Sequence, residues 1–158
     1  MSTVFTTTSV DATRAFGARI AALAAPGDVY ALEGDLGTGK TEFVRGFVGA
    51  LDPSITVRSP SFAIINIYPA PHYPVYHFDF YRLNDVTELV EIGFDDYLAG
   101  NGVCLIEWAT MFSDALPAGT RHMRLTDRGV AVREIRFDFA VDRFGSVNCD
   151  AGHPVARA

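Results

Sequence analysis

Residues 34–41, with the sequence GDLGTGKT, contain the residue types and spacing that point most clearly to chemistry. Gly34, Gly39, Lys40 and Thr41 fit the pattern G-x-x-x-x-G-K-[ST], which is typical of a phosphate-binding loop. Glycines let backbone N–H groups come close to phosphate oxygens, and the N-terminus of a following helix adds partial positive charge. The residues predicted to bind a nucleotide here are Gly34, Asp35, Leu36, Gly37, Thr38, Gly39, Lys40, Thr41 and Glu42.

Lys40 is the only lysine among the 13 basic residues of the chain, and the others are arginine. An ammonium group is a compact point charge, whereas a broad planar guanidinium fits a tight loop poorly. We therefore predict that Lys40 contacts the β- and γ-phosphates and acts in catalysis. Thr41 is predicted to offer its hydroxyl to a magnesium ion.

Two apolar stretches end in a carboxylate, Asp79 in VYHFDFY and Glu107 in VCLIEW. If both stretches are strands of one parallel sheet, their carboxyl ends lie at the edge that carries the phosphate loop. Such a loop needs an acidic group to hold magnesium and another to orient the attacking water. We therefore predict that one carboxylate binds magnesium and the other positions water. The alternative is that both are solvated acids at strand ends.

Other polar and aromatic residues give weaker signals. Ser59 and Ser61 lie in the turn RSPSF, where they could sense the γ-phosphate or serve only as turn residues. His77 alternates with Asp79 and so points to the same face of a strand. It could hydrogen-bond in the site or be a core histidine. Trp108 could lie near the nucleotide, face a partner or simply pack.

The elements that must position these residues follow from hydrophobic periodicity and from breaks at glycine and proline. The predicted helices span 9–23, 40–51 and 84–100, the last with a break at Gly93. The predicted strands span 29–33, 61–69 and 102–108, with a further strand within 73–83 that has Asp79 near its C-terminal end, and a hairpin follows over 121–139. We predict an α/β fold: a single P-loop NTPase-like domain over 1–140, with a central, mostly parallel sheet flanked by helices and antiparallel strands that include the C-terminal hairpin. Residues 141–158 are predicted to form a flexible tail.

Composition limits the classes of protein that remain. Of 158 residues, 49% are hydrophobic and 20% are charged, which is ordinary for a soluble globular domain. No apolar run approaches the ~18 residues that span a bilayer, and the N-terminus lacks a signal-peptide pattern, so we expect a cytoplasmic protein. The net charge of −6 argues against a protein that binds nucleic acid without a partner protein.

Taken together, the segments GDLGTGKT, SPSF, HFDFYRL, EIGFDDYL and IEW resemble the TsaE (YjeE) family in order and spacing. The resemblance covers roughly residues 9–139. It implies a small ATPase, using ATP and Mg²⁺, that is required for the threonylcarbamoyl modification of adenosine 37 in tRNAs that read ANN codons. It also implies that the ATPase binds a complex of TsaB and TsaD, supports the turnover of that complex and meets tRNA only indirectly.

The same resemblance implies roles for individual residues. Lys40 and Thr41 would hold phosphate and magnesium, Glu107 would be a magnesium ligand, and Asp79 would be important for hydrolysis. The implied switch or partner-facing residues are Ser59, Pro60, Ser61 and Phe62, with Trp108 near the nucleotide or the partner. Further nucleotide contacts are implied for Ser9, Val10 and Arg133.

Three other functions share the phosphate loop. A small-molecule or nucleotide kinase would need an arginine-bearing lid, and the connections in this chain look too short for one. A GTP-driven switch usually carries N-K-x-D, and the only lysine already lies in the loop. A nucleotide-binding assembly factor without meaningful hydrolysis is the third alternative, and replacing Asp79 would distinguish it.

Overall fold

A seven-stranded mixed sheet runs through residues 2–139, the part of the chain that the computed structural model describes. The strands are β1 (Thr3–Thr7), β2 (Val29–Glu33), β3 (Ile65–Tyr68), β4 (Val75–Asp79), β5 (Val103–Glu107), β6 (Arg121–Gly129) and β7 (Val132–Phe137). Their order across the sheet is β1-β7-β6-β2-β5-β4-β3.

The centre of the sheet is parallel. Strand β2 pairs in parallel with β5 on one side and with β6 on the other, and β5 pairs in parallel with β4. Antiparallel pairing occurs towards the edges, between β6 and β7, β7 and β1, and β4 and β3. This arrangement confirms the predicted α/β fold with its C-terminal hairpin.

Helices cover both faces of this sheet. They are α1 (Val10–Ala21), α2 (Lys40–Leu51), α3 (Thr87–Glu91) and α4 (Phe94–Leu98), with a 3₁₀ helix over Ala109–Ala115. Side chains alternate along β2, so Leu32 packs in one core with α1 and α2 while Ala31 packs in the other with α3 and α4. Strands buried on both faces explain the wholly apolar stretches of the sequence.

Several predicted elements match the structure closely. The strand over 29–33 and the helix over 40–51 have the predicted bounds. The helix predicted over 9–23 spans Val10–Ala21, and Ser9 caps it by accepting a hydrogen bond from the Ala12 N–H at 3.0 Å. These elements carry strong periodicity and clear ends.

The elements between residues 60 and 100 are shorter than the stretches in which they were predicted. Strand β3 starts only at Ile65, because residues 60–64 form a turn in which the Pro60 carbonyl accepts hydrogen bonds from the Ala63 and Ile64 N–H groups. The strand predicted within 73–83, with Asp79 near its C-terminal end, spans Val75–Asp79 and ends at Asp79. The break predicted at Gly93 within the helical stretch 84–100 is confirmed, because two short helices, α3 and α4, are separated at Gly93, which has a φ of 73°.

Two elements had no counterpart in the prediction. Strand β1 joins the edge of the sheet beside β7, and the 3₁₀ helix follows Trp108 directly. The tail predicted over 141–158 lies outside the described residues. None of the helices within residues 2–139 has the length and apolar character needed to cross a membrane.

Candidate functional site

The C-terminal ends of the neighbouring strands β2, β5 and β4 lie side by side, and a cleft opens there. Asp79 and Glu107 are register partners at the ends of β4 and β5, so their backbones lie side by side. The cleft has a volume of about 310 Å³. It is lined by Leu36, Gly37, Gly39, Lys40, Thr41, Glu42, Ser59, Ser61, Asp79, Tyr81, Glu107 and Trp108.

The glycine loop takes a backbone path that other residues would not readily adopt. Gly34 has a φ of 141°, and a side chain there would bring its Cβ within 2.3 Å of the Leu125 carbonyl oxygen. Gly39 has a φ of 100° and directly precedes α2, and no side chain caps this end of the helix. The first N–H groups of α2 are therefore open to an anion, which is the geometry that binds phosphate.

Lys40 lies across this loop. Its Nζ donates to the carbonyl oxygens of Gly34 at 2.6 Å and Asp35 at 2.9 Å, and lies 4.5 Å from the centre of the Trp108 ring. Burial lowers the pKa of the ammonium, while the nearby carboxylates, Glu107 first among them, act in the opposite direction. Lys40 also lines the cleft, so its charge is available to an anion bound there.

Glu107 is buried, and three elements meet at its carboxylate. Oε1 accepts hydrogen bonds from the Thr41 hydroxyl at 3.0 Å and from His77 Nε2 at 2.8 Å. Of the two readings of His77, the structure therefore supports the first, because its ring bonds directly to a carboxylate of the cleft. Thr41 and Glu107 together present oxygen atoms, which are the ligands that magnesium prefers.

Asp79 is also buried but has a different environment. Its Oδ2 accepts a hydrogen bond from the Ser61 hydroxyl at 3.2 Å, and its Oδ1 accepts one from the Tyr81 N–H at 2.9 Å. Ser61 is bonded in turn to Ser59 at 2.7 Å. The segment that contains both serines is thus tied to the carboxylate at the end of β4.

Trp108 lies at a sharp turn between β5 and the 3₁₀ helix. It has a φ of 59°, which is uncommon for a large side chain, and its ring centre lies 4.9 Å from that of Tyr81. The carboxylate of Glu33 anchors Thr110, two residues after Trp108. It accepts hydrogen bonds from the N–H and the hydroxyl of Thr110, both at 2.8 Å. This anchor fixes the turn that directs the indole towards Lys40.

The remaining predicted residues lie around the cleft. Arg133 Nη2 donates to the Gly37 carbonyl at 3.3 Å, which joins the C-terminal hairpin to the loop. Ser9 and Val10 are exposed at the start of α1 and do not line the cleft. Phe62 is 87% exposed, with the Arg82 guanidinium carbon 4.2 Å from its ring centre. The contacts that these residues were predicted to make with a nucleotide or partner stay predictions.

The sequence did not lead us to predict three residues that belong to the site or support it. Tyr81 lines the cleft, and Tyr68 hydrogen-bonds to His77. Glu33 ends an apolar strand, as Asp79 and Glu107 do, so the same signal was present. Its carboxylate is directed to Thr110 rather than into the cleft.

The donor set can hold a magnesium ion only with help from another ligand. Within residues 2–139, no group of three or more His, Cys, Asp or Glu side chains could hold a metal ion. Magnesium bound to a nucleotide needs few protein ligands, because phosphate oxygens and water fill most of its coordination shell. Thr41 and Glu107, beside a loop that can bind phosphates, fit that kind of site.

Comparison with known proteins gives a consistent result. Residues 7–135 match the sequence profile of a family described as threonylcarbamoyl adenosine biosynthesis protein TsaE. A protein of Bacillus subtilis named tRNA threonylcarbamoyladenosine biosynthesis protein TsaE is 41% identical over 138 residues, covering 87% of this chain and 86% of the relative. A protein of the same name from Treponema pallidum is 33% identical, covering 80% of this chain and 93% of the relative.

A solved structure has the same fold. The crystal structure of Bacillus subtilis YdiB superimposes with a TM-score of 0.74 and 38% sequence identity. The match covers 87% of this chain and 84% of the YdiB chain.

Proposed function

The chain belongs to the TsaE family of threonylcarbamoyl adenosine biosynthesis proteins, and on that basis we propose that it is a Mg²⁺-dependent ATPase of this pathway. Its ATP cycle would support the threonylcarbamoylation of adenosine 37 in tRNAs that read ANN codons. The observation that carries the proposal is the convergence of Lys40, Thr41, Asp79 and Glu107 on one cleft beside an uncapped helix N-terminus.

Phosphate binding falls to the loop and to Lys40. The N–H groups at the start of α2 point to where phosphate oxygens would lie, and the helix dipole favours negative charge there. In the structure the Lys40 ammonium bonds to two loop carbonyls, both short bonds that a phosphate oxygen can replace. Arg133 supports this loop from the hairpin through its bond to Gly37.

Magnesium binding falls to Thr41 and Glu107. The Thr41 hydroxyl donates a hydrogen bond to Glu107, which leaves its oxygen lone pairs for a metal ion. Thr41 and Glu107 would hold the magnesium ion, and the chemistry that it would supply there is positive charge against the charge that develops on the phosphate oxygens. Glu107 holds this position because its carboxylate is fixed by donors from two other elements.

Asp79 is the residue that we assign to the attacking water. Its carboxylate borders the cleft beside Glu107 but receives its hydrogen bonds from Ser61 and the Tyr81 backbone instead of from the loop. The two carboxylates therefore have separate partners and can perform separate tasks. Orientation and partial deprotonation of water by a positioned carboxylate is a standard contribution to hydrolysis.

Partner binding is proposed on the side of the cleft. Phe62 and Leu36 are 87% and 71% exposed beside the site, which suits contact with another protein better than contact with water. The net charge of −6 disfavours direct binding of tRNA, so we propose that a TsaB–TsaD-like complex meets the tRNA instead.

A reconstituted modification reaction tests this function. TsaB–TsaD, a threonylcarbamoyl donor, ATP and tRNA are combined with or without the purified chain, and the modified adenosine is measured by mass spectrometry. We expect several products per TsaB–TsaD complex only when both the chain and ATP are present. Equal product without the chain would contradict the proposal.

The Glu107→Gln variant tests the metal site. The amide keeps the size of the side chain but loses the negative charge, so we expect the apparent affinity for Mg²⁺ to fall about tenfold or more in the presence of ATP. The measurement is a Mg²⁺ titration followed by fluorescence of Trp108, the only tryptophan. Glu91→Gln, on the exposed surface of α3, is the matched control. A metal titration equal to that of the parent would remove Glu107 from the site.

A further inference from the structure

A line of hydrogen bonds runs from the cleft carboxylate Glu107 through the protein interior to the backbone of Arg58. His77 Nε2 lies 2.8 Å from Glu107 Oε1, and His77 Nδ1 lies 3.3 Å from the Tyr68 hydroxyl. The Tyr68 hydroxyl lies 2.9 Å from the Arg58 carbonyl oxygen. Arg58 directly precedes Ser59, whose hydroxyl hydrogen-bonds to that of Ser61, and Ser61 in turn donates to Asp79.

His77 is held rigidly in this line. It lies in β4 between strands β3 and β5, and its side chain is 0% exposed. Both ring nitrogens have partners, so a rotation of the ring would break two hydrogen bonds in a buried environment, where unpaired polar groups are costly. The ring is therefore fixed in one orientation relative to Glu107 and Tyr68.

The protons of the line can be assigned from the chemistry of its groups. A carboxylate only accepts, so the proton of a neutral His77 lies on Nε2 and Nδ1 is an acceptor. The Tyr68 hydroxyl then has one proton and two acceptors, His77 Nδ1 and the Arg58 carbonyl. The Arg58 carbonyl also accepts from Asn66 Nδ2 at 3.0 Å, so it keeps a partner when Tyr68 turns to His77.

Glu107 gains a defined orientation from this arrangement. Its Oε1 receives hydrogen bonds from both His77 and Thr41. Among the described residues no side chain hydrogen-bonds to Oε2, and the residue lines the cleft. The bond from His77 therefore selects the rotamer in which Oε2 is available to a metal ion.

We propose that His77 is a positioning residue that holds Glu107 in its metal-binding orientation, and that Tyr68 connects this carboxylate to the Ser59–Phe62 segment. The inference rests on the proposed magnesium site and adds two residues that the predicted site did not assign. It links the proposed metal site to the serine segment through the single proton of the Tyr68 hydroxyl.

Three substitutions separate the parts of this line. His77→Leu removes both bonds at similar volume. His77→Gln keeps a donor near the position of Nε2 and removes the acceptor for Tyr68. Tyr68→Phe keeps the ring and the donor to Glu107 but removes the connection to Arg58. The matched control is Tyr73→Phe, which removes a buried hydroxyl that donates to the Ala21 carbonyl oxygen. Tyr73 precedes the N-terminal end of β4, whereas Asp79 lies at its C-terminal end.

The readouts are calorimetric titrations of the full chain with ADP in EDTA, with ADP plus Mg²⁺, and steady-state ATP turnover. We expect His77→Leu to lower Mg²⁺ affinity about tenfold or more, as loss of groups that orient metal ligands does, with metal-free ADP affinity within about twofold of the parent. His77→Gln should recover most of the Mg²⁺ affinity. Tyr68→Phe should leave Mg²⁺ affinity close to that of the parent and lower kcat roughly fivefold.

Other results overturn the proposal. Unchanged Mg²⁺ affinity in His77→Leu would show that His77 does not position Glu107. If His77→Leu fails to fold, a His77→Gln variant with the same Mg²⁺ defect as Glu107→Gln would contradict the donor role, and kcat of Tyr68→Phe equal to that of Tyr73→Phe would contradict the connection. A parent chain that binds ADP with no effect of Mg²⁺ would overturn the proposed function as well, which separates the two failures.

Discussion

The Lys40→Ala variant is expected to lose tight binding of Mg-ATP, with an affinity lower by roughly 100-fold or more. Lys40 has the only ammonium side chain of the protein, and its Nζ lies within the loop that cradles phosphate. A charge-assisted hydrogen bond contributes about 1.5–3 kcal/mol, and two phosphate contacts would be lost together. Since about 1.4 kcal/mol corresponds to a tenfold change, the expected loss spans two orders of magnitude or more.

Calorimetric titration with a non-hydrolysable ATP analogue and Mg²⁺ measures this effect. Lys40→Arg separates charge from shape, because guanidinium keeps the charge but is broad and planar. We expect Lys40→Arg to bind more weakly than the parent, whereas Arg19→Ala, in the last turn of α1, should bind as the parent does. Parental affinity in Lys40→Ala would show that the loop is not a phosphate site.

The Asp79→Asn variant is expected to bind Mg-ATP with an affinity within a few-fold of that of the parent. Its rate of ATP hydrolysis is expected to fall by about 100-fold or more. The amide oxygen can still accept from the Tyr81 N–H, and the amide nitrogen can donate to Ser61, so the fold around it should persist. What is lost is the basic carboxylate that orients water, and positioned bases of this kind contribute about 10²–10⁴-fold to rate.

Single-turnover hydrolysis of ATP gives the rate of the chemical step, and a binding titration run beside it gives the affinity for Mg-ATP. Asp95→Asn, at the exposed start of α4, is the matched carboxylate-to-amide control and should hydrolyse at the parental rate. Parental turnover in Asp79→Asn would remove Asp79 from the reaction. If Asp79→Asn lost hydrolysis but kept full activity in tRNA modification, the chain would act as a nucleotide-binding factor instead.

The parts of the fold that could be predicted have regular periodicity. Apolar stretches covered on both faces identified β2 and β5, and a glycine loop followed by an amphipathic pattern identified α2. The edge strand β1 was missed although TVFTT alternates and contains β-branched residues. Its stability comes from pairing with β7, more than 120 residues further along the chain, which local patterns do not reveal.

The candidate site divides in the same way. Residue type and spacing placed Lys40, Thr41, Asp79 and Glu107 together, because parallel strands direct their carboxyl ends to one edge. The hydrogen bonds that hold these side chains in place could not be predicted, because they join segments that are far apart in the sequence. The bond from His77 to Glu107 and the anchoring of Thr110 by Glu33 are examples. The left-handed backbone at Ile64 and Trp108 is likewise set by tertiary packing, and neither residue type favours it.

ATP turnover by the purified chain, measured alone and with a TsaB–TsaD pair, tests the proposed partner-dependent ATPase most directly. We expect slow Mg²⁺-dependent turnover that rises when the pair is added and that is about 100-fold lower in Asp79→Asn under both conditions. Turnover that is indifferent to the pair would contradict the proposed partnership and would direct attention to phosphoryl transfer onto small acceptors. No Mg²⁺-dependent turnover under either condition would contradict the ATPase itself.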